Sequence, residues 1–291
     1  QINIDFNELE EIVKKYKLKK RYYRLKNGNF LDLQNSDEIG FIDKLISGTD
    51  VTYKELETGT IKLPVNRTLY INQLLKEIKG PEVVKNKEYK NVIDGFDKEV
   101  IDEEQLIPEN LETILRPYQK TGFKWLKILD KYKFGGILAD DMGLGKTIQI
   151  ISILLDYKQN SNDSRASIVV SPSSLSLNWK NEIEKFAPSL NIKVIRGTAL
   201  ERKQIIQNID KYDLIITSYD LLKRDIDVYK NKNYNFRFII ADEAQYLKNN
   251  NTKNAKAIKQ LNADTRFALT GTPIENSLAE LWSIFDFIMP G

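Results

Sequence analysis

The segment that most constrains the fold is Asp140–Thr147, which reads Asp-Asp-Met-Gly-Leu-Gly-Lys-Thr. The apolar residues Gly136–Ala139 precede it and the apolar stretch Thr147–Leu155 follows, which predicts a buried strand, a loop and a buried helix. Glycines in such a loop let backbone N–H groups point at a phosphate, and the start of the helix adds its dipole. Lys146 is expected to bind the β- and γ-phosphates of a nucleotide, and the Thr147 hydroxyl to hold Mg²⁺. We therefore predict a phosphate-binding loop rather than a chance glycine-rich turn.

A pair of carboxylates, Asp242 and Glu243, directly follows the apolar strand Arg237–Ala241. Asp242 is expected to hold the Mg²⁺ shell, and Glu243 to orient and deprotonate the attacking water. An acidic pair in this position is by itself often only the solvated start of a helix. Beside a phosphate-binding loop, it favours hydrolysis of a nucleoside triphosphate.

Strands and helices alternate from Leu115 onward, which is typical of an α/β fold with a mostly parallel sheet covered by helices on both faces. The predicted strands lie near residues 135–139, 167–170, 192–195, 213–217, 237–241 and 266–269. The predicted helices include 117–130, 146–158, 174–186, 199–209, 253–261 and 277–288. Hydroxyl, glycine and acidic residues follow several of these strands, and ligands of such sheets bind beyond the carboxyl ends of the strands. We expect that edge of the sheet to be the functional one.

Residues 1–110 predict a separate, small α+β domain that precedes the α/β domain of residues 111–291. The two are joined near Asp102–Asn110, where acidic residues and Pro108 break the pattern. Arg21–Leu33 is predicted to form a hairpin, with Asn27-Gly28 suited to a type I′ turn. Short helices are predicted at Asn7–Lys14, Ser36–Leu45 and Leu69–Ile78.

Composition limits the chemistry, because the 291 residues include no cysteine and no histidine. Disulfides, zinc clusters and thiolate or imidazole catalysis are therefore excluded within the chain. No apolar run approaches the ~18 residues of a membrane span and the N-terminus is polar, so we expect a soluble, cytoplasmic protein. Residues 1–110 carry 18 basic and 21 acidic residues, and residues 111–291 carry 26 and 20. The basic excess in the second part mildly favours a polyanionic partner.

The run Lys14–Arg24 interleaves basic residues with tyrosines and contains no acidic residue. Such a run could bind a nucleic-acid backbone while its tyrosines stack on bases. Charge runs more often mark the solvated face of an element whose tyrosines pack on the core, and we favour that interpretation. Trp125, Trp179 and Trp282 lie on predicted helical faces and are likewise assigned to the core rather than to stacking.

From Leu115 onward the motifs resemble, in type and order, the first RecA-like lobe of the SWI/SNF-type (Snf-two) DNA translocases of helicase superfamily two. The family uses this form of phosphate-binding loop, which accounts for Asp140 at a position where the generic loop has glycine. The segment Leu115–Leu126 resembles the one that reads adenine, with Gln119 on the base. The resemblance implies a RecA-like P-loop domain that binds ATP and Mg²⁺, the metal through Thr147 and Asp242. The nucleotide contacts it implies are Arg116, Gln119, Asp140, Asp141, Met142, Gly143, Leu144, Gly145, Lys146 and Thr147.

Two further segments, Ile168–Leu175 and Ile215–Tyr219, resemble those that touch the phosphates of one DNA strand. The residues so assigned are Ser171, Ser173, Ser174, Thr217 and Ser218. Hydroxyls and backbone N–H groups at helix starts bind phosphate without reading sequence, although the same hydroxyls are also ordinary helix N-caps. The segment Leu269–Asn276 resembles the one that couples nucleotide state to DNA binding, through Thr270, Gly271 and Thr272.

The chain departs from the family pattern in two places. Gln245 stands where many relatives have histidine. Glutamine can bridge to Thr270 or to the γ-phosphate without protonation. The resemblance implies that Gln245 acts in catalysis together with Lys146 and Glu243. The family's second lobe, with its arginine fingers, has no counterpart in these 291 residues. Because arginine fingers contribute ~10³–10⁵ in rate, we expect this chain alone to bind ATP and to hydrolyse it slowly.

The Asp-Glu-Ala-Gln and Pro-Ile-Glu-Asn-Ser variants resemble bacterial members, and residues 1–110 resemble the region upstream of their motor lobe. The resemblance implies a nucleoid-associated ATPase that moves along double-stranded DNA and acts on a DNA-bound protein or RNA polymerase, without membrane or zinc. The alternatives are a strand-separating helicase or RNA remodeller of the same superfamily, and a non-catalytic recruitment module.

Overall fold

A computed structural model describes residues 6–49, 51–58, 60, 61, 63, 67–77, 87, 89, 90, 92, 93, 107–273 and 277–290. The chain divides into two compact units, one within residues 1–97 and the other within residues 98–290. None of the helices in the described ranges combines the length and the apolarity that a membrane span requires.

The first unit is a small α+β arrangement, as the sequence predicts. Its helices are Phe6–Lys17, Asp37–Thr49, Tyr53–Glu57 and Thr68–Glu77, and its antiparallel hairpin consists of β1 (Tyr22–Arg24) and β2 (Phe30–Asp32). A buried cluster of apolar side chains joins the first two helices to the hairpin: Leu9, Ile12, Val13, Leu25, Leu33 and Ile39. Ile78, the predicted end of the fourth helix, lies outside the described residues.

The turn of this hairpin differs from the prediction. The Leu25 N–H donates to the Asn29 carbonyl at 2.8 Å, and the Gly28 N–H donates to the Leu25 carbonyl at 2.8 Å. The connection therefore has three residues, and Gly28 at φ +89° occupies the left-handed region whereas Asn27 does not. A type I′ turn needs positive φ at both central residues, so the predicted type is wrong; the loop is a type I turn closed by a left-handed glycine. The Asn27 side chain stabilises it by accepting from the Asn29 N–H at 3.0 Å.

The second unit contains one six-stranded sheet, and every strand pair in it is parallel. Its strands are β3 (Gly136–Leu138), β4 (Ser167–Ser171), β5 (Ile192–Val194), β6 (Leu214–Ser218), β7 (Asn235–Ala241) and β8 (Asn262–Leu269). Their order in space is β3-β8-β7-β4-β6-β5. All six predicted strands are confirmed. β7 and β8 begin earlier than predicted, because residues that precede the apolar run, several of them polar, also belong to the extended strand.

Helices cover both faces of this sheet, as buried parallel strands require. Pro117–Lys131, Lys146–Asn160 and Ser176–Phe186 pack side by side on one face, and Ala199–Gln207, Tyr219–Lys232, Lys253–Lys259 and Leu278–Ile288 on the other. The short helix Glu109–Glu112 and the 3₁₀ turns Ile209–Lys211 and Ala244–Leu247 lie between them in the chain. The helix Tyr219–Lys232 is not among the predicted ones; its sequence is rich in charge, although Tyr219, Leu222 and Tyr229 are buried.

A buried ion pair ties two of these helices together. The Arg202 Nε donates to Asp225 Oδ2 at 2.7 Å and its Nη2 donates to Asp225 Oδ1 at 2.9 Å. A third donor, Nη1, reaches the Gly197 carbonyl at 2.8 Å. This hydrogen bonding raises the pKa of Arg202 above its ordinary value.

We expect Arg202→Ala to destabilise the second unit by about 3–5 kcal/mol, because the Asp225 carboxylate would stay buried without its partner. The measurement is the free energy of unfolding in urea. Lys223→Ala is the matched control, since it removes the more exposed pair with Asp220 and should change the free energy by less than about 1 kcal/mol. Equal losses in the two variants would contradict the assignment.

Candidate nucleotide-binding site

The order of the strands brings three predicted segments together at the carboxyl edge of the sheet. Leu138 of β3 lies opposite Leu269 of β8, and Ala268 of β8 lies opposite Ala241 of β7. The loops that follow these strands are therefore neighbours: the phosphate-binding loop, the coupling segment and the acidic pair. Gly271 of the coupling segment approaches the phosphate-binding loop closely, since a Cβ at that position would lie 3.3 Å from Met142 Cγ.

The phosphate-binding loop has the backbone that its glycines predict. Gly143 and Gly145 have φ of +82° and +77°, in the left-handed region that favours glycine. The helix Lys146–Asn160 starts directly after Gly145, which places free N–H groups of the first turn at the loop. The Lys146 ammonium donates to the carbonyls of Asp140 at 2.6 Å and Asp141 at 3.1 Å. The loop therefore offers N–H groups and a mobile positive charge to a phosphate.

Asp140, which replaces the usual glycine, has a structural partner. The fully buried Gln149 donates from Nε2 to Asp140 Oδ2 at 2.9 Å and to the Gly145 carbonyl at 3.4 Å. The Asp140 carboxylate thus fastens the start of the loop to the helix that follows it. Gly122 makes room for this contact, because a Cβ there would lie 1.7 Å from Gln149 Oε1. Sequence reasoning assigned Gln149 only to a buried helix, since nothing in the pattern marks its partner.

The segment predicted to read adenine is tied to the same loop. Gln119 is buried; its Oε1 accepts from the Arg116 N–H at 3.0 Å and its Nε2 donates to the Leu144 carbonyl at 3.0 Å. The Tyr118 hydroxyl donates to that carbonyl at 2.9 Å. A cleft of about 430 Å³ opens beside these residues and also borders Lys185 and Phe186, which is within the usual range for ligand pockets. Direct contact between Gln119 and the base stays a prediction.

Asp242 is only 9% exposed, and each of its carboxylate oxygens accepts a hydrogen bond. The Trp179 indole N–H donates to Oδ2 at 2.7 Å, and the Glu243 backbone N–H donates to Oδ1 at 2.9 Å. Burial raises the pKa of Asp242, whereas these hydrogen bonds and the nearby Lys146 ammonium oppose the rise. The Tyr219 hydroxyl donates to the Asp242 carbonyl at 2.9 Å and fixes its backbone.

Glu243, Gln245 and Thr270 form a relay from the acidic pair to the coupling segment. The Gln245 Nε2 donates to Glu243 Oε2 at 2.6 Å, and its Oε1 accepts from the Thr270 hydroxyl at 3.2 Å. The Thr270 hydroxyl in turn accepts from the Thr272 N–H at 3.1 Å. The bridge from Gln245 to Thr270 that the sequence suggests is therefore present, and it uses an amide that does not titrate.

The residues present fit a nucleoside triphosphate with Mg²⁺. Magnesium prefers oxygen ligands and is held in such sites by one or two protein oxygens together with phosphates and water. The Thr147 hydroxyl and the Asp242 carboxylate are the oxygens predicted for this role. The assignment of individual contacts to Arg116, Asp141, Met142 and Leu144 stays a prediction.

The residues predicted to bind nucleic acid fall into two groups. Ser173 and Ser174, after β4, are exposed, whereas Ser171, Thr217 and Ser218 are buried. The Ser218 hydroxyl caps the helix Tyr219–Lys232 by accepting from the Leu221 N–H at 3.3 Å, as the alternative interpretation expects. Contact of these five residues with a nucleic acid stays a prediction.

The three tryptophans do not all lie in the core. Trp179 is buried, as predicted, and its N–H has the functional contact described above. Trp282 is 67% exposed and Trp125 is also exposed, so the core assignment is wrong for these two. Their helical positions were read correctly, but a helical face alone does not say what covers it.

Comparison with known proteins identifies the family. Residues 118–291 match the family described as SNF2-related domain, which is more than half of the chain. The chain belongs to this family. Residues 2–105 match the family described as Bacterial SNF2 helicase associated, in agreement with the upstream resemblance and with a bacterial member.

Similar proteins and a similar solved structure support the assignment to this family. An uncharacterized ATP-dependent helicase of Mycoplasma genitalium is 45% identical over 60% of this chain, and the TATA-binding protein-associated factor MOT1 of Saccharomyces cerevisiae is 42% identical over 64%. The chain spans 17% and 10% of the lengths of these two proteins. The SWI2/SNF2 ATPase core of Sulfolobus solfataricus, solved in complex with double-stranded DNA, is 44% identical at a TM-score of 0.58, over 64% of this chain and 38% of its own. The SNF2 ATPase-core fold predicted from the motifs is confirmed.

Trp179→Phe should weaken Mg²⁺-dependent nucleotide binding about tenfold, because it removes a hydrogen bond to a charged group worth about 1.5–3 kcal/mol. The dissociation constant of a fluorescent ATP analogue is measured with Mg²⁺ and with EDTA. We expect a loss only with Mg²⁺, since the phosphate-binding loop is untouched. Trp125→Phe, at an exposed position, is the control and should change neither constant. Equal weakening in EDTA would show that Trp179 acts through the fold rather than through Asp242.

Proposed function

We propose that this chain is the ATP-binding lobe of a motor that hydrolyses ATP to move along double-stranded DNA. The observation that carries the proposal is the relay from Glu243 through Gln245 to Thr270, at the edge of the sheet that also carries the phosphate-binding loop and Asp242. These are the side chain types that hydrolysis of a nucleoside triphosphate would use. A non-catalytic recruitment module would have no use for such a relay.

The residues divide the hydrolysis between them. The N–H groups of the loop and the Lys146 ammonium bind the phosphates, and Thr147 and Asp242 hold Mg²⁺, which when bound neutralises charge on the phosphates. Gln245 donates to Glu243 Oε2, which leaves Oε1 to accept the proton of the attacking water. Once Glu243 has taken up this proton, its carboxyl group is a weaker acceptor for the hydrogen bond from Gln245. The Thr270 segment thereby senses the chemical state of the site.

Two observations support double-stranded DNA as the track: a relative that was solved with such DNA, and exposed hydroxyl groups at the edge of the sheet. The archaeal SWI2/SNF2 ATPase core, 44% identical, was solved in complex with double-stranded DNA. Ser173 and Ser174 are exposed after β4, on the same edge of the sheet as the nucleotide residues. Hydroxyls in this position suit contact with phosphates, which carries no sequence information. We therefore propose that movement along the DNA is independent of its sequence. The proposed location is the cytoplasm, on the nucleoid.

A strand-separating helicase is the second candidate, because the Mycoplasma relatives are named ATP-dependent helicases. The Met-Gly-Leu-Gly loop and the Leu-Thr-Gly-Thr-Pro segment favour the translocase. Unwinding assays on duplex DNA and duplex RNA separate the two. A translocase displaces a blocking protein from intact duplex, whereas a helicase yields single strands.

Lys146→Ala and Glu243→Gln are expected to impair different steps. Lys146→Ala should weaken ATP binding to this chain more than tenfold, because the phosphates lose their mobile cation. Glu243→Gln should bind ATP normally and, in the protein together with the family's second lobe, lower DNA-stimulated hydrolysis by about 10²–10⁴. Lys203→Ala, an exposed lysine of the helix Ala199–Gln207, is the control for loss of charge. Rapid, DNA-stimulated turnover by Glu243→Gln would sink the assignment of Glu243 as the base.

Gln245→His should introduce a pH dependence that the natural glutamine avoids. A neutral imidazole can accept from Thr270 while donating to Glu243, but a protonated imidazole cannot accept, and histidine titrates near pH 6.5. The DNA-stimulated ATPase rate of Gln245→His should equal that of the natural protein at pH 8 and fall below it at pH 6. Thr270→Val is the matched comparison and should lower the rate at both pH values. A Gln245→His protein with an unchanged pH profile would show that the link to Thr270 does not control turnover.

A further inference from the structure

The hairpin of the first unit exposes one face. Arg24 pairs with Phe30 and Tyr22 with Asp32 across the two strands, so these four side chains share a face. Tyr23 and Leu31 lie on the opposite face, where they pack against the core of the unit. Tyr22 is 50% exposed and Phe30 is 68% exposed. Two large aromatic rings therefore lie on the outward face of neighbouring antiparallel strands.

The two rings have the spacing of a stacking platform. Tyr22 and Phe30 are diagonal neighbours across the ladder, and such residues lie within about 7–8 Å of each other. In sheet-type RNA-binding domains, aromatic side chains on neighbouring strands stack two or three consecutive bases. A single exposed aromatic residue is common on protein surfaces and needs no explanation. Two exposed aromatic residues on one face, with cations beside them, indicate a binding surface.

Cations without carboxylate partners lie beside Tyr22 in the chain and on the same strand face. Within the described part of the chain, Lys19, Lys20 and Arg24 form no ion pair, whereas the nearby Lys14 and Lys17 pair with Glu10 and Asp43. The Arg21 guanidinium lies 5.1 Å from the centre of the Tyr22 ring. The one acidic residue of the face, Asp32, already accepts from the Gln34 N–H and the Asn35 side chain. The surface is complementary to a polyanion.

We propose that this face, which consists of Tyr22, Arg24, Phe30 and the adjacent Lys19–Arg21, binds single-stranded nucleic acid. Bases stack on Tyr22 and Phe30, and backbone phosphates pair with the free cations. The rings decide in favour of a single strand, because the bases of a duplex are already stacked on one another and cannot cover a side chain. An acidic protein segment would use the charges but not the rings. This site is separate from the duplex track proposed for the second unit.

The test measures binding of fluorescein-labelled 12-nucleotide oligo-dT and oligo-U to the whole chain by anisotropy. Loss of both rings, in Tyr22→Ala/Phe30→Ala, should weaken binding about thirtyfold or more, because each of the two base–aromatic stacks is worth about 1–3 kcal/mol. Tyr22→Phe/Phe30→Tyr keeps both rings and should bind like the natural chain. Lys20→Ala and Arg24→Ala should each reduce the slope of log K against log salt by about 0.7. Lys54→Ala, an exposed lysine of the same unit, should not.

Two readouts separate this site from the proposed motor. Lys203→Ala, at an exposed lysine of the second unit, should leave oligonucleotide binding unchanged, and photo-crosslinks from 5-bromouridine should map to Tyr22 or Phe30. Failure of DNA-stimulated ATPase activity would leave both results in place. Unchanged oligonucleotide binding after loss of both rings would overturn the proposal. Full competition by poly-glutamate, with no effect of the rings, would also overturn it and would identify an acidic protein as the partner.

Discussion

The nucleotide site depends on keeping one buried carboxylate charged. Asp242 is almost removed from water, and burial raises its pKa and disfavours the ionised form that a metal needs. Two hydrogen bonds, from the Trp179 indole and the Glu243 N–H, and the positive charge of Lys146 oppose this cost. They come from a helix, a turn and the end of the phosphate-binding loop. The three segments must therefore be assembled correctly before Asp242 can take the role of metal ligand proposed for it.

The order of strands in the sheet explains why this assembly also touches the predicted nucleic-acid segments. β7 lies between β8, which leads to Thr270, and β4, which leads to Ser171. The helix that carries Trp179 starts a few residues after Ser173 and Ser174, and Tyr219 directly follows Ser218. One of these aromatic residues donates to the Asp242 side chain and the other to its carbonyl. Each predicted nucleic-acid segment is thus linked to Asp242 through one aromatic residue, either at its side chain or at its backbone, which is a short physical route for coupling.

The parts of this site that could be predicted are those written in consecutive residues. The phosphate-binding loop, the acidic pair and the strands before them follow from glycine spacing and apolar runs. The contacts of Trp179 with Asp242 and of Gln149 with Asp140 join residues 63 and 9 positions apart. No periodicity marks such a partner, so both residues were assigned only to a buried helix. The helix Tyr219–Lys232 escaped prediction although Leu222, Ile226 and Tyr229 recur at helical spacing and pack in the core, because the charged residues between them obscure this stripe.

The backbone of Glu243 shows that the site has been built for function at a cost in stability. Its φ of +50° lies in the left-handed region, where a residue other than glycine costs of the order of 1–3 kcal/mol. Its N–H is held by Asp242, and Tyr246 in the following 3₁₀ turn stacks on Tyr219 with ring centres 5.2 Å apart. These contacts on both sides hold the strained conformation and direct the carboxylate toward Gln245. Glycine would relieve the strain but would remove the carboxylate that we propose as the acceptor of the proton from water, so the proposed chemistry accounts for glutamate in this strained position.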